Sequence, residues 1–262
     1  MKWLRRILIS LMIIAALLGG WWWRRLQTYR HFSVPQHDVA TVFVPGYGGN
    51  WISFGPMIGR MNRYHVGTAA ETLQVHANSV SVKHEGRSGK NPLINVLFDN
   101  PFKPATQAKQ MRLVMAKLKQ MGITKVNLVG HSSGANIIYD YLTRYRHESD
   151  PIALKFVSFA TDYTTGEVNE AERLPHALQV QNIGGQIWQS DGDWAINGTS
   201  REAFTAAVAP YVASVQTVTV HGSPLDSYHS MLHQNLDVDK LIAQFLFTNT
   251  NQNGVKQWYN KY

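Results

Sequence analysis

Cysteine is absent from all 262 residues. That single lack removes disulfide frameworks, thiolate zinc sites and cysteine nucleophiles together. It leaves the compartment open, because secreted proteins of many bacteria also lack disulfides. Charged residues make up only 16% of the chain, and the first thirty positions contain no acid. Internal repeats and low-complexity tracts are lacking too, and composition does not shift again after about residue 38, so one domain behind the N-terminal segment is the simplest organisation. The length is ample for a sizeable core.

A net charge of +8 and an isoelectric point near 9.6 raise nucleic-acid binding as a first thought, so the location of the excess decides the matter. Lys2, Arg5, Arg6, Arg24, Arg25 and Arg30 all lie in the first thirty residues. Removing these six from 25 leaves 19 basic residues against 17 acidic ones in the other 232 positions, a net charge of +2. Nucleic acid is therefore not an expected partner. Between the two basic clusters runs the uncharged stretch Ile7 to Trp23, ILISLMIIAALLGGWWW. As a helix it spans roughly 26 Å, near the lower limit for crossing a bilayer. Flanking charges and the Trp21-Trp22-Trp23 triplet, which resembles an interfacial aromatic belt, speak against a buried core helix. A cleaved signal peptide is the rival, but Leu17-Leu18-Gly19-Gly20 offers no A-x-A-like site. The expected organisation is a signal anchor over residues 1–30, a linker over 31–38 and a catalytic domain over 39–262. The basic residues ahead of the span, with the amino terminus, narrowly outnumber those behind it. This predicts a single-pass protein of the cell membrane with its domain on the extracellular face.

Past residue 38 the pattern alternates. Val39 to Val44 is a short β-branched run closed by Pro45-Gly46, and Phe54 to Arg63 reads as a short helix. Thr72 to His76 and Val80 to Lys83 suggest a hairpin around Asn78-Ser79, and Leu93 to Phe98 a further strand. Helix Pro104 to Met121 then precedes strand Lys125 to Val129, with Gly122 as the stop signal. A helix marked by Ile137, Ile138, Tyr141, Leu142 and Tyr145 follows, then strand Leu154 to Phe159. Strand Val180 to Gln186, helix Arg201 to Val208, strand Gln216 to Val220 and helix Val238 to Phe247 complete the series. Strands alternating with helices predict an α/β fold, a mainly parallel sheet with helices on both faces. Active groups in such a sheet sit on loops at the carboxyl ends of the strands.

Gly130-His131-Ser132-Ser133-Gly134 is G-x-S-x-G, directly after the strand KVNLV and directly before the helix ANIIYDYL. A nucleophile elbow needs this context, because its serine occupies a strained strand-to-helix turn and the glycines let the two elements pack closely. Ser132 is the expected nucleophile. A serine hydroxyl needs an adjacent base and an orienting acid. His229, between the strand QTVTV and the last helix, is the expected base; His221 and His233 are rivals. The acid falls among Asp191, Asp193 and Asp162, of which Asp191 lies in the polar loop Gln189-Ser190-Asp191-Gly192-Asp193. His229 and His233 also form H-x-x-x-H, yet Ser230 stands where a metalloprotease carries its glutamate. No metal and no cofactor are expected. The loop after the first strand, Pro45-Gly46-Tyr47-Gly48-Gly49, is placed to supply the Tyr47 N–H to an oxyanion hole whose second donor is the Ser133 N–H. Trp51, Phe54, Trp188 and Trp194 are expected to line an apolar acyl site. The stretch from Thr161 to Pro175 is too short for a large cap.

Residues 38–248 resemble the α/β-hydrolase superfamily. The series PGYGGN, NPLINVLFDN, LVGHSSGA, SDGD and YHSMLHQNLDVDKLIAQFLF is similar to bacterial hydrolases described as membrane-bound cell-surface hydrolases, which resemble lipases and esterases. The resemblance implies Ser132, Asp191 and His229 as the triad, Asp191 being preferred because its Asp-Gly resembles the acid loop of many bacterial lipases. Two departures stand out: Pro45-Gly46 replaces the usual His-Gly, and Asp193-Trp194 follows Asp-Gly where Val-Pro is common. The expectation is a membrane-anchored serine hydrolase acting on a small-molecule or lipid carboxylic ester. Acyl transfer to a cell-envelope acceptor and a silent binding module on the same fold are the alternatives.

Overall fold

Twenty-nine consecutive residues, Lys2–Arg30, form the first helix, α1, in a computed structural model that describes residues 2–163 and 165–248. The last part of the expected 39–262 domain, residues 249–262, lies outside the described residues. Contacts divide the chain into two units, Met1–Ser33 and Val34–Tyr262. In the first unit, α1 carries a window of mean hydropathy 1.7 and is long and apolar enough to cross a membrane. The Arg25 guanidinium lies 5.1 Å from the Trp21 ring centre, a cation–π contact at the basic end of that span.

The second unit is built on one eight-stranded sheet: β1 (Ala40–Val44), β2 (Thr68–Val75), β3 (Val80–His84), β4 (Pro92–Phe98), β5 (Lys125–His131), β6 (Ile152–Phe159), β7 (Gln179–Ile187) and β8 (Ser214–Gly222). Their spatial order is β3-β2-β4-β1-β5-β6-β7-β8, and every neighbouring pair is parallel except β2 with β3. That exception is the hairpin expected around Asn78-Ser79, with Val75 opposite Val80. The helices are α2 (Trp51–Arg63), α3 (Pro104–Gln120), α4 (Ser133–Asp140), the short α5 (Thr165–Val168), α6 (Gly198–Val208), the short α7 (Pro224–Ser227) and α8 (Leu236–Phe247). A π-helical turn over Tyr141–Tyr145 extends α4, and a 3-10 turn over His229–Gln234 leads into α8.

Period-two burial explains how the sheet is covered on both sides. On one face Val42, Ile94, Leu128, Phe156 and Val180 meet Met111, Val114, Met115 and Leu118 of α3, Ile138 of α4 and Phe204 of α6. On the other, the Phe43 ring lies 5.1 Å from that of Phe54 in α2, and Phe54 lies 5.9 Å from Phe159. Asn50 caps α2 through a reciprocal capping box with Ser53, which fixes where the loop after β1 ends and the helix begins.

The strand order sets the position of the site. From β1 the chain moves toward β2 on one side, while from β5 it moves toward β6 on the other. The loops leaving β1 and β5 therefore part at the carboxyl edge, opening the crevice characteristic of a topological switch point. The β1 loop carries Tyr47 and the β5 turn carries Ser132.

Candidate active site

Ser132 has φ +54° and ψ −135°, a backbone conformation that non-glycine residues rarely adopt. Surrounding contacts hold it there: its N–H donates to Phe159 O at 3.0 Å and its carbonyl accepts from Thr161 Oγ1 at 3.0 Å. The two motif glycines are required by close approach. A Cβ on Gly134 would lie 2.2 Å from Val44 O, and one on Gly130 would lie 2.5 Å from the Ala135 backbone. Beside the elbow, a Cβ on Gly46 would sit 3.1 Å from Ser132 Cβ, so the β1 loop runs against the serine. Among the described residues, neither the Tyr47 nor the Ser133 N–H is taken up by an intramolecular hydrogen bond.

Ser132 Oγ lies 3.1 Å from His229 Nε2, and His229 Nδ1 lies 3.1 Å from Asp193 Oδ2. A carboxylate only accepts, so the ring proton sits on Nδ1 and the Nε2 lone pair faces the serine hydroxyl. Asp193 is 1% exposed, and its Oδ1 accepts from the N–H groups of Ala195 at 2.9 Å and Ile196 at 2.6 Å. Both carboxylate oxygens are thus oriented, Oδ1 by the local turn and Oδ2 by the histidine. His229 is further tied by its backbone, whose carbonyl accepts from His131 Nε2 at 3.1 Å.

Asp191, the acid expected from the sequence, does not meet His229. It is exposed, and its carboxylate points to the start of α6, with Oδ1 2.9 Å from where a Gly198 Cβ would be. The physical reason is the turn itself: Ile187 N–H bonds Gly192 O and Gly192 bridges Asn197, which swings residue 193 back under the sheet edge and leaves 191 outside. Gly185 in β7 offers the missed signal, since a Cβ there would lie 3.0 Å from Asp193 Cβ and 2.2 Å from Ser227 O. A glycine inside a strand marks close approach by another backbone. The third candidate, Asp162, bonds the Ser200 hydroxyl.

The four expected acyl-site residues divide. Phe54 is fully buried between Phe43 and Phe159 and belongs to the core, a correction that follows from its place on the inner face of α2. Trp51, Trp188 and Trp194 are 62%, 67% and 59% exposed. Trp188 and Trp194 both have positive φ, +48° and +70°, and their rings meet edge to face at 6.1 Å. Tyr228, next to His229, extends this cluster at 6.3 Å from Trp194. Across the crevice, Tyr47 packs on Phe102 at 5.2 Å.

A second Ser-His-Asp chain, marked by no local sequence pattern, lies on the β2–β3 side of the sheet. Asp99 Oδ2 lies 2.7 Å from His76 Nδ1, and His76 Nε2 lies 2.9 Å from Ser81 Oγ. Hydrogen bonding from His76 holds the Asp99 carboxyl below its usual range. This chain ties the exposed β2–β3 hairpin to β4. Ser81 lies inside the extended strand β3, not in a strand-to-helix turn of the kind that holds Ser132. A cavity of about 590 Å³ lies beside it, lined among others by Gly48, Gly49, Asn50, Gln74, Lys83 and Asp99.

Comparison with known proteins agrees with this architecture. The crystal structure of the lin2722 gene product of Listeria innocua superposes with a TM-score of 0.74 at 18% identity, covering 82% of this chain and 96% of that one. A protein of Thermus thermophilus, TT1662, gives 0.54 at 11% identity over 81% and 90%. A highly thermostable carboxyl esterase from Bacillus coagulans gives 0.50 at 11% identity over 82% and 90%. These likenesses concern the fold. No curated protein matches the sequence. The family described as "Alpha/beta hydrolase of unknown function (DUF915)" matches residues 31–172 and 163–249. Covering most of the chain, that match makes this protein a member of the DUF915 family of alpha/beta hydrolases.

Proposed function

We propose that the protein is a membrane-anchored serine hydrolase that cleaves carboxylic esters through an acyl-enzyme, with Ser132 as nucleophile, His229 as general base and acid, and Asp193 as the orienting acid. The hydrogen-bonded chain Ser132–His229–Asp193, with its serine at positive φ, carries this reading. Ser132 Oγ attacks the ester carbonyl carbon while His229 Nε2 takes its proton. The carbonyl oxygen becomes an oxyanion held by the Tyr47 and Ser133 N–H groups, worth on the order of 3 kcal/mol per donor in related chemistry. Collapse breaks the bond to the leaving alcohol, to which His229 returns the proton. A water, deprotonated by the same nitrogen, then releases the carboxylic acid and restores the serine. Asp193, buried and hydrogen-bonded to Nδ1, orients His229 and stabilises the imidazolium in both steps. The exposed rims Trp188–Trp194–Tyr228 and Tyr47–Phe102, with Trp51, offer apolar surface for the acyl chain. Helix α1, long and apolar enough to cross a membrane, serves as the anchor, and the slight excess of basic charge ahead of the span favours a domain on the extracellular side.

The polar cavity beside the β1 loop favours one second reading, acyl transfer to an alcohol bound there by Asn50, Gln74 and Lys83. Full-length protein in detergent micelles, given a chain-length series of p-nitrophenyl esters with and without glycerol, tests both. Hydrolysis lost in Ser132→Ala supports the mechanism, and retained hydrolysis refutes it. Glyceryl ester outpacing free acid would establish transfer.

A further inference from the structure

Behind His229 lies a polar chain that the reaction as written does not use. Asp239 of α8 is fully buried and pairs with Arg60 of α2, whose Nε and Nη2 donate to Oδ2 and Oδ1 at 2.6 and 3.0 Å. Arg60 Nη2 also donates to His233 O at 3.1 Å, and Nη1 donates to Gln234 Oε1 at 3.2 Å. A guanidinium only donates, so Gln234 must present its oxygen to Arg60. Its amide nitrogen therefore faces His233 Nδ1, at 3.0 Å. That nitrogen donates as well, so His233 Nδ1 can only accept and its proton sits on Nε2. The His233 ring lies 4.9 Å from the His131 ring, which lies 4.9 Å from that of His229. His131 in turn donates from Nε2 to the His229 carbonyl. Among the described residues, His131 of β5 neighbours this ring directly, His229 of its own turn and Arg60 of α2 act on it by charge, and Asp239 of α8 pairs with Arg60.

We propose that Arg60 and Gln234 are positioning residues that lock His233 as one neutral tautomer, so that His229 becomes an imidazolium beside uncharged rings. This rests on His229 acting as the base. A second imidazolium at 233 would stand no farther than about 10 Å from His229 and oppose the charge that the reaction places there. At that separation and an effective dielectric constant of about 20, the repulsion lowers the rate on the order of tenfold. Burial and the Arg60 charge act in the same direction, drawing the His233 pKa down to about 4. His131, also buried, is held well below the ordinary histidine value by desolvation, then by His233 and His229.

Gln234→Glu tests the lock. A glutamate still accepts from Arg60 but now also accepts from His233 Nδ1–H, so it invites the proton that glutamine refuses. In full-length protein labelled with nitrogen-15 at histidine, the parent His233 should show an unprotonated Nδ1 and a protonated Nε2 down to about pH 5. The variant should titrate near neutrality. The variant-to-parent ratio of kcat/KM on an activated ester should fall about tenfold between pH 9 and pH 6. A parent His233 that titrates as an ordinary histidine, or carries its proton on Nδ1, overturns the proposal. Superimposable pH profiles of variant and parent overturn it as well. The spectra need no turnover, so a failure of the lock and a failure of the esterase reading are separately visible.

Discussion

Replacing Asp193 by Asn probes the orientation of the whole site, because the two amides on Oδ1 dictate how an asparagine must sit. Ala195 and Ile196 donate at 2.9 and 2.6 Å and require an oxygen. The asparagine oxygen takes that place, and its NH2 faces His229 Nδ1. A nitrogen facing an NH2 must accept, so the imidazole proton moves to Nε2 and blocks the lone pair that would receive the Ser132 proton. Recovering the productive tautomer requires an amide flip that leaves two buried N–H groups opposed by a third donor. At about 2 kcal/mol for each of the two stranded amides, the flip costs about 4 kcal/mol. Each 1.36 kcal/mol is a factor of ten, so kcat should fall on the order of 10³-fold, with KM little changed. Since Oδ1 keeps both amide bonds, circular dichroism and the urea midpoint should stay close to the parent. Asp191→Asn, altering an exposed carboxylate that does not meet His229, should stay within about twofold. The assay is p-nitrophenyl butyrate hydrolysis by the full-length chain in micelles. A loss below tenfold in Asp193→Asn, or a greater loss in Asp191→Asn, would show that Asp193 does not orient His229.

Two further predictions concern stability. Gly134→Ala drives a Cβ into the Val44 carbonyl and should cost about 3 kcal/mol by urea unfolding, whereas Gly59→Ala, exposed in α2 with nothing within 4 Å, should gain about 0.5–1 kcal/mol. For pH, both His131 and His233 are depressed in the fold, so the unfolded chain binds their protons first. Folding stability is fully present above about pH 6.5 and falls as pH drops toward about 4, by up to ~1.4 kcal/mol per pH unit for each histidine. His233→Gln should remove about one proton from the slope measured between pH 6.5 and 5; an unchanged slope would show that His233 is not depressed.

Much of the architecture was legible because burial repeats with strand and helix periods. Met111, Val114, Met115 and Leu118 mark α3 at helical spacing, and all four are buried. The elbow was legible because G-x-S-x-G stood between a strand and a helix. The choice between Asp191 and Asp193 was not, since both share one polar loop and only the turn through Gly192 decides which carboxylate points inward. Phe54 misled for a related reason: proximity in sequence to the β1 loop says nothing about which side of α2 a ring occupies. The Arg60–Gln234–His233 chain joins residues more than 170 positions apart, and no local pattern marks it.

The proposed mechanism stands on Ser132 as the nucleophile. Full-length protein treated with a fluorophosphonate, digested and analysed by mass spectrometry, should carry one adduct on the peptide containing Ser132. Ser81→Ala should label as the parent does, and Ser132→Ala should not label. An adduct on Ser81, equal labelling of Ser132→Ala, or no adduct on the parent would rule out Ser132 as the nucleophile.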